Sequence, residues 1–89
     1  MRVVNTLHQG YICWMFFPDE NLDKSSQQSQ LTQLKIMCRE RLGRSHGSLA
    51  ISMWAAAHKS RYDGMGVNST HAIFIRDTDV AFEAMLMFC

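Results

Sequence analysis

The sequence predicts a small α+β fold, an antiparallel sheet with two helices on one face, loosely ferredoxin-like. Three observations carry this reading. Tyr11-Ile12-Cys13-Trp14-Met15-Phe16-Phe17 is short, aromatic-rich and apolar on both alternating faces, the pattern of a strand covered on both sides. Leu31, Leu34, Met37 or Cys38, and Leu42 recur at helical spacing in a polar stretch. His71-Ala72-Ile73-Phe74-Ile75-Arg76 reads as a second strand, which passes through Asp77-Thr78-Asp79 into an apolar helix, Val80 to Cys89. Eighty-nine residues leave room for one core, so residues 1–89 form a single domain.

Taken in order, Val3-Val4 suits a short leading strand and His8-Gln9-Gly10 a turn. Pro18 ends the Tyr11–Phe17 strand because it has no N–H to give a ladder. Ser25 and Gln28 fit a capping box, which places the first helix at about residues 26–42. Gly43 stops it, and Arg39, Arg41 and Arg44 complement its carboxyl-terminal dipole. Residues 44–47 are a loop.

Ser48 to Ala57 admits two readings. Leu49, Ile51 and Met53 alternate with Ala50, Ser52 and Trp54, which favours a strand, while Ser48 and Ala55-Ala56-Ala57 would also suit a helix. Residues 58–68 read as a long loop. In the strand from His71 to Arg76, Ala72, Phe74 and Arg76 share one face, and His71, Ile73 and Ile75 the other. Asp77 or Thr78 caps the last helix, where only Glu83 is polar between Val80 and Cys89. That helix has no solvent face of its own. Either neighbouring segments cover it or another molecule does.

The net charge is +1 and the hydrophobic fraction 47%, so the chain folds and has no global pull toward nucleic acid or anionic lipid. Cys13, Cys38 and Cys89 are odd in number and lack C-x-x-C spacing, as expected of reduced thiols in the cytoplasm, two of them buried. The apolar run Tyr11–Phe17 is too short to cross a membrane, and neither it nor the lone early basic residue, Arg2, makes an export signal.

Reactive groups are scattered. His8, His46, His58 and His71 show no paired-ligand spacing, so no metal site is expected. Asp77 and Asp79 form a D-x-D pair that could hold magnesium, but the helix start accounts for both acids. None of the cysteines has an activating base nearby in sequence, and no G-x-S-x-G occurs. Gly64-Met65-Gly66 lacks the third glycine of a phosphate cradle. The expectation is a protein that is not an enzyme and holds no cofactor.

The run Ile73-Phe74-Ile75-Arg76-Asp77-Thr78-Asp79-Val80-Ala81-Phe82, closing with Leu86 and Phe88, resembles the carboxyl-terminal end of certain small phage proteins, in which a strand leads into a D-x-A-x-x-F-like helix. The likeness covers about a fifth of the chain and departs at Glu83-Ala84-Met85, where a basic residue belongs. It implies a phage or mobile-element origin and names no functional residue.

The expected function is a small protein-interaction module. It binds another protein or its own copy through Phe82, Met85, Leu86 and Phe88, since methionine-rich apolar surfaces adapt to partners. The phage resemblance implies that the partner is a host protein, which is inhibited or redirected. The alternative is a nucleic-acid-binding module that uses Lys35, Arg39, Arg41 and Arg44 on phosphates.

Overall fold

A computed structural model describes residues 1–59 and 69–88. Most of the expected long loop, including Gly64-Met65-Gly66, lies outside the described residues, as does Cys89. The elements are β1 (Arg2–His8), β2 (Tyr11–Phe17), α1 (Lys24–Leu42), β3 (Trp54–Lys59), β4 (Ser69–Ile75) and α2 (Thr78–Phe88). The strands form one antiparallel sheet in the order β1-β2-β4-β3. The α+β class is as predicted. The order ββαββα begins with a hairpin, whereas the ferredoxin-like order is βαββαβ.

The leading hairpin follows from its turn. Gln9 and Gly10 both have positive φ, 53° and 83°, as a two-residue type I′ turn requires. This register pairs His8 with Tyr11 and runs to Arg2 opposite Phe17. The leading strand is therefore longer than Val3-Val4 suggested. β2 is parallel to β3, since each runs antiparallel to β4, and α1 carries the chain between them. β4 then fills the gap.

Two sequence readings are corrected here. Asp23, not Ser25, caps α1: its carboxylate accepts the Ser26 N–H at 2.7 Å, so the helix begins at Lys24 and Ser25 lies inside it. The aspartate caps the helix two residues earlier than the serine would. In the ambiguous stretch, a strand does form, but only from Trp54, and it runs on through His58 and Lys59. Residues 48–51 are turns, where the Ser48 hydroxyl accepts the Ala50 N–H and competes with any ladder. The other helix start is as expected: Asp77 accepts the Val80 N–H at 2.9 Å.

Alternation along the strands splits the core in two. On the helix side, Phe16, Trp54, Ile73 and Ile75 meet Leu31, Leu34, Met37 and Cys38 of α1 and Val80, Ala81 and Ala84 of α2. On the other side, Cys13, Ala55 and Phe74 are closed by Leu49, which the 44–53 segment holds in place. Arg76 fastens that segment by donating to the Leu49 carbonyl at 2.6 Å while lying over the Tyr11 ring. Gln9 at the hairpin tip accepts from the Leu49 N–H and the Ser48 hydroxyl. His8 stacks on Phe74 with ring centroids 3.9 Å apart.

Candidate functional site

The site predicted on the last helix separates into two sets. Val80, Ala81 and Ala84 face inward and are buried. Met85 and Phe88 lie half-buried against the same core. Phe82 and Leu86, one turn apart, point out and are 51% and 87% exposed. Small inward residues let α2 sit close to the sheet, and the 3.6-residue period then turns its larger apolar side chains to the surface. No described segment covers them. Phe82 rests edge-on against Trp14 of β2, with centroids 5.9 Å apart. The Met1 ammonium donates to the Phe88 carbonyl at 2.8 Å and pairs with Asp19 at 3.2 Å. Asp19 is held below the usual carboxylate range, first by the Gln30 side-chain amide and then by that ammonium.

Other exposed apolar positions, Met87, Leu7 and Ile12 among them, stand outside the predicted site. Met87 is 61% exposed and lies with Ile36, Met37 and Phe88 in a cleft of about 420 Å³ between α1 and α2. The Arg41–Glu83 ion pair, at 2.6 Å, spans the rim of that cleft. Leu7 and Ile12, paired across the hairpin, are each 68% exposed. Ile12 corrects the view that all of Tyr11–Phe17 is covered on both sides. β2 pairs with β4 only from Trp14 to Phe16, so its first residues run past the layer of helices. Nothing in the apolar run itself marks where a neighbouring strand stops.

The basic cluster is divided by the fold. Arg41 is engaged by Glu83. Lys35 is partly buried, and desolvation, then the neighbouring charge of Arg39, holds its pKa below the ordinary lysine value. Arg39 and Arg44 meet at the carboxyl end of α1, where with Ser45 and Trp54 they line a cleft of about 680 Å³. Trp54 is a buried wall of that cleft, its indole N–H bonded to the Gly43 carbonyl at 2.8 Å. Two of the four cations that the sequence offered thus line one cleft.

The cysteines described, Cys13 and Cys38, are free and fully buried. Burial raises both thiols, Cys38 to about 12, so both are protonated and poorly nucleophilic near neutral pH. Among the described residues, no three His, Cys, Asp or Glu side chains are grouped to hold a metal ion. Asp77 is occupied in capping α2. No helix among the described residues is long and apolar enough to cross a membrane.

No protein-family model, curated protein or solved structure matches the chain. The class is therefore defined by the architecture alone, a small ββαββα domain of the α+β kind with an apolar outer face on its last helix.

Proposed function

We propose that the protein is a non-enzymatic interaction module that binds another protein through the outer face of α2. The observation that carries this is the exposure of Leu86 and Phe82 on a helix whose inward face is already filled by Val80, Ala81 and Ala84. Folding accounts for the inward residues, uses Phe82 through its edge contact with Trp14, and leaves Leu86 bare. Contiguous exposed apolar surface is the usual mark of a partner site. The cleft beside Met87 and Ile36 extends this surface toward α1, with Arg41 and Glu83 as a polar rim. A partner helix or strand with two or three apolar anchors suits such a groove. A host protein met in the cytoplasm is the partner that the phage resemblance favours.

Leu86→Asp tests the reading. The variant is expected to keep the wild-type circular dichroism and melting temperature and to lose the protein that the wild type captures. Equal capture by both proteins would sink it. A second reading draws on Arg39 and Arg44, which the fold brings to one cleft without a carboxylate partner among the described residues. There the ligand is a nucleic-acid phosphate. Its signature is a salt-dependent gel shift that Arg39→Gln with Arg44→Gln removes.

A further inference from the structure

The free edge of the sheet at β1 carries an inference separate from the α2 surface. We propose that β1 pairs antiparallel with β1 of a second copy, about a two-fold axis through Asn5, to make one continuous eight-stranded sheet. The hairpin geometry determines which backbone groups are available. A two-residue type I′ turn makes His8 and Tyr11 a hydrogen-bonded pair, so Arg2, Val4, Thr6 and His8 direct their N–H and C=O groups at β2. Val3, Asn5 and Leu7 therefore direct theirs outward, and β1 is an edge of the sheet with no other strand beside it among the described residues.

That row is complementary to itself. With Asn5 opposite Asn5 of the second copy, Val3 lies opposite Leu7 and Leu7 opposite Val3. Each outward N–H then meets an outward C=O, and all three residues of each copy are satisfied. The side chains agree with this register. Leu7, 68% exposed, comes to lie beside Val3 of the second copy, which sits at the rim of that copy's core. Thr6 comes beside Val4, itself 41% exposed. Cross-strand side-chain pairs of this kind are the unit that stabilises a sheet.

Two further features favour a second copy over solvent. Proteins block exposed edges with proline, lysine, inward charges or bulges, and β1 has none of these in its seven residues. Its one basic residue, Arg2, lies at the end of the strand over the Phe17 ring. The helices pack chiefly on the other strands, α1 on β3 and β4 and α2 on β2 and β4, and β1 joins their core through Val3. Leu7 and Ile12 are left bare on the helix side of the one strand pair that a neighbour's sheet would extend.

The register makes a sharp experiment, run in a Cys89→Ser background so that the remaining native thiols are the buried pair. Light scattering of the purified chain is expected to give twice the 10.2 kDa monomer mass. Asn5→Cys is expected to cross-link to itself under mild oxidation or with a short bismaleimide, and Leu7→Cys, which faces Val3, to cross-link far less. Leu7→Lys is expected to return the mass to that of the monomer with an unchanged circular dichroism spectrum and a melting temperature that no longer depends on protein concentration, and Leu86→Asp to leave the dimer intact. A monomer at every concentration overturns the inference and leaves the α2 reading standing. So does a dimer that survives Leu7→Lys, dissolves with Leu86→Asp and yields no Asn5→Cys cross-link, which would move self-association to α2.

Discussion

The two helices of this domain solve opposite problems. α1 is nineteen residues long, with Leu31, Leu34, Met37 and Cys38 buried and mostly polar side chains outside. α2 is eleven residues long, buries only Val80, Ala81 and Ala84, and exposes Phe82, Leu86 and Met87. In α1 the large apolar residues, Ile36 apart, are where folding uses them. In α2 the small ones are inside and the large ones outside, so residue size runs against the hydrophobic gradient. The contrast teaches that apolar content alone does not locate a core. The side of the helix that the chain path presses to the sheet does.

The comparison predicts a graded series of effects. Leu34→Ala removes a fully buried anchor of α1 and should cost about 2–5 kcal/mol in urea unfolding. A loss under about 1 kcal/mol would mean that α1 is not the main clamp on the sheet. Cys38 comes next. Its thiol stays protonated to about 12 in the folded chain against an ordinary value of 9.0. The unfolded state therefore releases that proton first, so stability is full below 9.0 and declines as pH rises toward about 12. The decline is at most about 4 kcal/mol, and Cys38→Ala should flatten that part of the pH profile whatever its own starting stability.

Smaller effects sharpen the α2 side. Ala84→Leu should overpack the close contact with the sheet and cost about 1–3 kcal/mol by the same assay. Arg41→Gln breaks the exposed bridge to Glu83 and should cost under about 1 kcal/mol, a difference that fades at high salt. Leu86→Asp, on the same helix as Ala84 but outside, should change stability by no more than about 0.5 kcal/mol. If it unfolds the chain instead, Leu86 has a structural role and the contrast between the helices fails.

Much of the architecture was legible because it rests on local chemistry. The turn at Gln9-Gly10, the strand ended by Pro18, the stripe of α1 stopped at Gly43 and the Asp77 cap each depend on residues within a few positions of one another. The first cap was misplaced because Asp23 and Ser25 both offer an oxygen at nearly the same spacing, and the geometry favours the first. The candidate surface was half legible. Phe82 and Leu86 stand where the apolar helix suggested, but Met85 and Phe88 turn partly inward. Leu7 and Ile12 gave no local signal, because their exposure depends on how far β4 reaches along β2.

By itself, the sequence determined the kind and approximate limits of β2, α1, β4 and α2, since periodicity, turn residues and caps act over one or two turns of chain, while the 48–57 stretch stayed open between strand and helix. Tertiary structure alone decided the strand order that inserts β4 between β2 and β3, the use of Leu49 to close the second face, and the bare outer side of α2. These depend on which segments far apart in sequence lie side by side. Burial is a property of that arrangement and not of any residue alone.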